Sequence, residues 1–189
     1  MNVIISCHLD SVFLTPFADW QGGIFRGACD NFAGVLAMGY LCHEMPDLHI
    51  EFTESEETSM DGARQLARIY KPDETLFIVI DVTERSRNWK SIHFTIENYH
   101  RIQEKHIRLA LKSLRNKYKL KPLGTESEAW LYKDKGFPTL EVDVPVMGGL
   151  HNLQGVARGE DMWAVSEATG LLATYFRDKT LREIEGEID

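Results

Sequence analysis

The chain has 189 residues, of which 43% are hydrophobic and 10% aromatic; these values exclude wholesale disorder and allow a domain with a substantial core. Its formal net charge of −8 argues against a nucleic-acid partner, because such a surface needs clustered lysine and arginine. The three cysteines cannot all pair and no signal peptide or long apolar span is visible, which predicts a cytoplasmic protein with no membrane partner.

Strand-like and helix-like segments alternate along the chain. Apolar runs predict strands at 2–7, 48–53, 75–82, 91–97 and 137–144. Helical spacing predicts helices at 30–44, 59–70, 101–118, 126–135 and 160–176. Residues 9–26, with Pro16, Gly22 and Gly23, are predicted to form a long loop, and a short extended piece ends near Gly124.

This alternation predicts one α/β domain over residues 1–189. Its expected architecture is a three-layer α/β/α arrangement, in which a mostly parallel, twisted sheet carries helices on both faces. The strand at 75–82 is apolar on both faces, as a central parallel strand would be. A basic run at 112–121 is predicted to be a solvated helix face.

Titratable side chains gather where ligands of such sheets bind, at the carboxyl ends of the strands. The residues at or just past predicted strand ends are His8, Asp10, Glu56, Glu57 and Asp81. In addition, Asp30 begins the first helix, and His151 lies in a glycine loop. Each has a commonplace explanation, such as a helix N-cap for Asp30. Their shared position at one sheet edge favours a joint interpretation as a metal site.

The residue types indicate which metal and which chemistry to expect. Histidine with several carboxylates favours zinc, with manganese or cobalt as alternatives. Two ions need a bridging carboxylate and produce a strongly activated water, whose proton a further carboxylate can take. In the adjacent pair Glu56–Glu57, one residue could act as the base and the other as a metal ligand. Asp10 is spaced to accept a hydrogen bond from the second ring nitrogen of His8.

Two cysteines, Cys7 and Cys29, adjoin residues of this predicted site, so thiolate ligation is an alternative. Alternation along a strand would send Cys7 to the face opposite His8. Both are therefore predicted to be small buried hydrophobic residues.

Several motifs in chain order resemble those of the co-catalytic di-zinc exopeptidases. They are His8-Leu-Asp10, Gly27-Ala-Cys-Asp30-Asn-Phe-Ala-Gly34, Glu54-Ser-Glu56-Glu57-Thr-Ser-Met-Asp-Gly62, Asp81 and His151. That group includes bacterial leucyl-type aminopeptidases and relatives of carboxypeptidase G. The short interval between Asp81 and His151 leaves no room for an inserted lid or dimerisation domain, so the chain is most similar to the single-domain aminopeptidases.

The resemblance implies a role for each motif residue. Asp30 would bridge two zinc ions, His8 and Asp81 would complete one site, and Glu57 and His151 the other. The general acid/base would be Glu56, and Asp10 would orient His8. A cis peptide bond between Asp30 and Asn31 is implied as well. The implied activity is zinc-dependent hydrolysis of a peptide or small amide substrate by an exopeptidase.

Two other functions remain open at this point. One is that of a single-zinc, glutaminyl-cyclase-like acyltransferase, which would share the fold. The other is that of a non-catalytic pseudo-peptidase, a binding module. Members of the group normally carry further elements before the His8 strand. Their absence here predicts an exposed sheet edge that could be covered in a homo-oligomer.

The remaining candidates have two explanations each. The turn Glu126-Ser127-Glu128 replaces an aspartate-containing turn of the family and is predicted to alter the specificity pocket. Three aromatic residues, Phe17, Trp20 and Phe25, either wall a substrate pocket or anchor their loop on the core. Arg158 either pairs with a substrate carboxylate or forms an ordinary ion pair, which is favoured. Most other histidines (His43, His49, His93, His100 and His106) are predicted to be at the surface.

Overall fold

The computed structural model describes residues 1–13, 17–86, 90–124 and 126–186. Its strands are β1 (Asn2–His8), β2 (Ala18–Gln21), β3 (Ile24–Gly27), β4 (His49–Thr53), β5 (Thr75–Glu84), β6 (Phe94–His100), β7 (Tyr118–Lys121), β8 (Thr139–Val146) and β9 (Gly155–Arg158). Its α-helices are α1 (Cys29–Glu44), α2 (Asp61–Ile69), α3 (Glu104–Ala110), α4 (Glu128–Asp134), α5 (Gly159–Arg177) and α6 (Leu181–Glu185).

Six strands form the main sheet in the order β4-β1-β5-β8-β6-β7. The strands β4, β1, β5 and β8 are parallel to one another, whereas β6 is antiparallel to β8 and parallel to β7. The central strand β5 is buried from Thr75 to Thr83, as its apolar composition predicts. The predicted mostly parallel sheet is confirmed.

Helices cover both faces of this sheet, which confirms the predicted layers. On one face, α1 and α5 pack against alternate residues of β1, β5 and β8, such as Ile5, Ile78 and Val142. On the other face, α2 and α4 enclose a smaller cluster, in which Phe77 and Tyr132 stack with ring centroids 3.8 Å apart. No helix of the described residues is long and apolar enough to cross a bilayer.

The predicted loop at 9–26 is confirmed for residues 9–13 and 17, which are irregular, but it is wrong for residues 18–26. Strands β2 and β3 pair as an antiparallel hairpin, and β9 adds to β3 to make a second, three-stranded sheet. Gly22 and Gly23 form the turn, with φ of 60° and 77°, and a two-glycine turn with positive φ matches the twist of a hairpin. Residues 14–16 of that predicted loop lie outside the described residues.

The predicted helix at 101–118 is too long. Helix α3 covers Glu104–Ala110, a 3₁₀ turn covers Lys112–Leu114, and Tyr118 already begins β7. The basic run at 112–121 is therefore not a helix face, and the side chain of Lys121 points to Glu97 on the neighbouring strand, 2.5 Å away. Strand pairing with β6 overrides the helical spacing of this segment. The short strand β9 and helix α6 had no prediction.

Candidate metal centre

The carboxyl end of β1 places His8 against two carboxylates. The imidazole of His8 is 1% exposed, and its Nε2 lies 3.3 Å from Oδ1 of Asp30 and 3.4 Å from Oδ1 of Asp81. Asp81 lies on the adjacent strand β5, and the backbone N–H of Val82 donates a hydrogen bond of 2.8 Å to it. Parallel pairing of β1 with β5 thus brings two strand ends to one point.

On its other side, Asp30 faces a second histidine. The Nε2 atom of His151, in the loop between β8 and β9, lies 3.1 Å from Oδ2 of Asp30 and 3.4 Å from Oε2 of Glu57. The two oxygens of Asp30 therefore face two different histidines. This is the geometry that a carboxylate shared between two ligand sets requires.

The start of α1 is shaped to hold Asp30 there. The peptide bond between Asp30 and Asn31 is cis, as the family resemblance implies, and both residues have non-helical φ and ψ. Asn31 donates from Nδ2 to the carbonyl oxygen of Ile80 at 2.9 Å and accepts from the N–H of Gly34 at 3.1 Å. The side chain of Asn31, not that of Asp30, caps the helix that continues beyond this kink, because Asn31 accepts from the N–H of Gly34, so the simple N-cap explanation of Asp30 is wrong.

Asp10 supports the site in a way that the sequence did not indicate. Its Oδ1 and Oδ2 accept hydrogen bonds from the backbone N–H groups of Glu56 and Glu57, at 3.1 and 3.2 Å. Its Oδ1 is also 3.6 Å from Nδ1 of His8, close to but outside hydrogen-bond distance. One carboxylate thus positions both the Glu56–Glu57 turn and, less tightly, the His8 ring.

Electrostatics favour a cation at this point. Burial lowers the pKa of His8, but Asp30 and Asp81 outweigh it and raise that pKa to about 12. Burial and nearby carboxylates, Asp81 first, raise the pKa of Glu56 to about 8, and burial and Asp30 raise the pKa of Glu57. Both ring nitrogens of His8 and Oε1 of Glu57 are buried without a hydrogen-bond partner among the described residues.

A cavity of about 460 Å³ opens beside these side chains. Its wall includes five residues of the site together with apolar Met60, Val82 and Leu150, and the charged Arg64 and Glu126. The five site residues are Asp30, Glu56, Glu57, Asp81 and His151. The three aromatic residues of the first loop are not among its lining residues: Phe25 is buried in the core, whereas Phe17 and Trp20 are exposed. The loop-anchor explanation therefore holds for Phe25.

The cysteines do not belong to the ligand set. Cys7 and Cys29 are buried, and burial raises the pKa of both thiols, to about 12 for Cys29. The donor atoms of His8, Asp30 and Glu57 lie within 4.8 Å of one another, and no thiol is part of this group. The predicted role of the two cysteines as small buried hydrophobic residues is consistent with this environment.

A second group of metal-ligand type, His93, Glu160 and Asp161, is already neutralised by arginines. Asp161 is fully buried and accepts hydrogen bonds of 2.7 Å from Arg85 and of 2.6 and 2.7 Å from Arg158. The favoured ion-pair explanation of Arg158 is confirmed. His93 lies 2.9 Å from Asp161, so it does not project freely into solvent.

Besides Asp161, four buried carboxyl groups were not predicted by the sequence analysis. Glu128, at the start of α4, is 0% exposed, and burial raises its pKa to about 7. Glu97, Glu141 and Asp143 lie on β6 and β8 and are 0–1% exposed. The available signal was a strand at 137–144 whose alternate positions are acidic within an otherwise apolar run. His106 is buried as well, 2.8 Å from the hydroxyl group of Tyr175, so its predicted surface position is wrong.

Comparison with solved structures shows what this fold is similar to. The TET1 peptidase of Pyrococcus horikoshii superimposes with a TM-score of 0.67 and 18% identity, over 84% of this chain and 52% of that chain. An aminopeptidase from the archaeon Desulfurococcus kamchatkensis gives 0.67 and 17%, over 90% and 54%. Aminopeptidase PepT from Bacillus cereus gives 0.65 and 11%, over 92% and 80%. The chain thus spans about half the length of the first two proteins.

Sequence comparison identifies the family. No curated protein sequence matches the chain at a significant level. The model of peptidase family M28, however, matches residues 1–170, from the first strand into α5, and includes every residue of the site described above. This match confirms the resemblance drawn from the motifs, and the chain belongs to peptidase family M28.

Proposed function

We propose that this chain is the catalytic domain of a zinc-dependent exopeptidase of the aminopeptidase type, acting on a peptide or small amide. The observation that carries the proposal is the position of Asp30 between His8 and His151, with Asp81 and Glu57 completing the two sides. The cavity beside this group is large enough for one or two amino-acid residues.

The residues present fit a pair of divalent ions. Imidazole nitrogens and carboxylate oxygens are zinc donors, and the buried Nε2 atom of His8, which faces two carboxylates without a hydrogen-bond partner among the described residues, fits the position of a metal ligand. In the proposal His8, Asp81 and Asp30 hold one ion, and His151, Glu57 and Asp30 hold the other. When bound, the ions would supply a polarised carbonyl and an activated water. Manganese or cobalt would suit the same donors.

Glu56 is the proposed general acid/base. Glu56 lines the cavity. Within the described residues, Glu57 forms an ion-pair contact with His151, whereas Glu56 forms none with either histidine of the site. Burial and neighbouring carboxylates raise the pKa of Glu56 to about 8, so its carboxylate form is a stronger base for a proton from water, and the acid formed in this way can return that proton to the leaving amine. Asp10 holds the backbone of both glutamates and thereby fixes where each side chain starts.

The setting and assembly of the protein are also part of the proposal. A cytoplasmic location fits the free thiols of Cys7 and Cys29. Self-association fits the outer strand β4, which carries Phe52 at 44% exposure. The P. horikoshii TET1 peptidase is described as assembling into a tetrahedron or an octahedral shell. Light scattering on the purified chain would measure its mass in solution.

The decisive experiment replaces Glu56 by Gln and uses Glu54→Gln, an exposed neighbour, as the matched control. We expect Glu56→Gln to retain its metal and to lose about 10²–10⁴-fold in kcat on aminoacyl anilides. Glu54→Gln should retain both its metal and its kcat. Elemental analysis gives the metal content of each variant. A fully active Glu56→Gln protein would refute the proposed role. One ion per chain at saturation would instead favour the cyclase-like transferase, and a folded but inert protein the binding module.

A further inference from the structure

One arginine stands at the wall of a cavity that is otherwise strongly acidic. Five carboxyl groups line the cavity at the metal centre, those of Asp30, Glu56, Glu57, Asp81 and Glu126. Among the described lining residues, Arg64 is the one side chain with a permanent positive charge. In the proposed function, metal ions balance the carboxylates around Asp30, and Arg64 is the described lining side chain whose guanidinium group can pair with a negatively charged group of a substrate.

Local structure fixes Arg64 in this position. It lies on the first turn of α2, where its backbone N–H donates to the carbonyl oxygen of Met60 at 2.9 Å. Its side-chain Nε donates to the carbonyl oxygen of Ser59, also at 2.9 Å. Both acceptors belong to the turn that directly follows Glu56–Glu57. The guanidinium group is therefore tied to the same short segment as the proposed catalytic residues.

The outer nitrogens of this guanidinium group remain available. No carboxylate of the described chain lies within ion-pair distance of Arg64, although Glu126 lines the same wall. Arg64, Met60 and Glu126 also border a neighbouring cavity of about 210 Å³ that reaches Trp130. With Nε already bonded, the two terminal amino groups can still donate to an incoming ligand. A pair of parallel N–H donors matches the two oxygens of a carboxylate.

We infer that Arg64 is a specificity residue that binds a carboxylate of the substrate at the rim of the metal centre. This inference rests on the proposed peptidase function. The carboxylate could belong to an acidic side chain, as in an aspartyl substrate, or to the free carboxyl terminus of a dipeptide. Both present the same two oxygens to the guanidinium group.

Paired substrates separate these two sources. Aspartyl and asparaginyl anilides differ only by the side-chain charge, and leucyl-leucine and leucyl-leucinamide differ only by the terminal charge. In the Arg64→Met variant we expect kcat/KM to fall about 10- to 100-fold for the charged member of at least one pair. The neutral member should change by less than about threefold. Arg64→Lys should recover part of the loss, because lysine keeps the positive charge but lacks the parallel N–H donors of arginine.

The control is Arg68→Met, one helical turn further along α2 and absent from both cavity walls. It should leave all four substrates unaffected. Equal losses for charged and neutral substrates in Arg64→Met would overturn the inference, because they would indicate that Arg64 only supports the turn. The same holds if no substrate loses activity.

Calorimetry makes the result independent of turnover. Aspartate, asparagine and the two leucyl-leucine compounds are titrated into the zinc-loaded protein and its Arg64→Met variant. Weaker binding of a carboxylate ligand, with unchanged binding of its neutral partner, supports the inference even if no anilide is hydrolysed. That outcome would refute the proposed peptidase activity but not the role of Arg64 in binding. Equal affinities for every ligand in both proteins would overturn the role of Arg64 alone.

Discussion

The close approach of Gly34 to Asn31 gives a sharp test of how Asp30 is held. A Cβ atom at Gly34 would lie 2.1 Å from Oδ1 of Asn31, far inside van der Waals contact. Gly34→Ala must therefore displace the Asn31 side chain, which bonds to Ile80 on the central strand and to the N–H of Gly34. The adjacent Asp30 would lose its position between the two histidines.

The expected destabilisation has three components. The two buried hydrogen bonds of the Asn31 side chain to backbone groups contribute about 1–3 kcal/mol together, and overpacking by the added methyl group costs about 1–3 kcal/mol. Replacing glycine by alanine inside a helix stabilises the folded state by about 1 kcal/mol, which offsets part of this loss. We therefore expect Gly34→Ala to lower the free energy of unfolding by about 1–5 kcal/mol.

Gly39 on the same helix is the matched control, because a Cβ there meets nothing within 4 Å. Gly39→Ala should be neutral or stabilising by up to about 1 kcal/mol. Urea denaturation of both variants, with elemental analysis of bound zinc, measures the two effects. If Gly34→Ala is as stable as Gly39→Ala and binds as much metal, the argument that Asn31 positions Asp30 is wrong.

Three further predictions concern the carboxylates. Asp10→Ala should lower kcat/KM about 10- to 100-fold, because the N–H groups of Glu56 and Glu57 lose their acceptor; normal activity on leucyl anilide would contradict this. The raised pKa of Glu141, about 7 against an ordinary 4.5, gives stability that is full below pH 4.5 and lost as the pH rises through 7. Glu141→Gln should therefore be more stable than the unaltered protein at pH 8 but not at pH 4, as measured by urea denaturation. Removing bound zinc with a chelator should lower the melting temperature, and adding zinc should restore it; an unchanged melting curve would argue against a metal at Asp30.

The sequence was sufficient to predict the main sheet and the set of residues at its edge. Apolar runs marked β1, β4, β5 and β8 because these strands are buried, and parallel strands necessarily bring their carboxyl ends together. His8 and Asp81 could therefore be placed side by side without coordinates, and the structure puts Nε2 and Oδ1 3.4 Å apart. The motif order added His151, which no periodicity argument would have reached.

Contacts that depend on the conformation of turns could not be predicted. The second role of Asp10 depends on the turn after Glu54, where Ser55 and Met60 have positive φ values of 64° and 54°. Neither residue type signals such a conformation, because it is imposed by the surrounding structure rather than by local preference. The hairpin of β2 and β3 was missed for another reason. Adjacent glycines predict a loop by composition, although the same glycines favour a tight hairpin.

The buried acidic residues of β6 and β8 show how a general rule about charge fails locally. Thr95 Oγ1 lies 2.8 Å from both Oε1 of Glu97 and Oδ2 of Asp143. A hydroxyl group has one hydrogen, so one of these contacts needs a protonated carboxyl group as the donor. Burial raises the pKa of Asp143, which favours that proton, and Lys121 compensates the charge of Glu97.

Two acidic groups on one sheet are thus compensated in different ways. In the proposed function, metal ions balance the carboxylates around Asp30, whereas retained protons and Lys121 balance those around Asp143. Chelation should therefore destabilise the first group, and a rise in pH the second. Because Glu141→Gln removes the titration of Glu141 but not that of Asp143, the variant should lose less stability than the unaltered protein as the pH rises, while remaining as sensitive to a chelator. Loss of both sensitivities together would show that the two groups of carboxylates act as a single coupled unit.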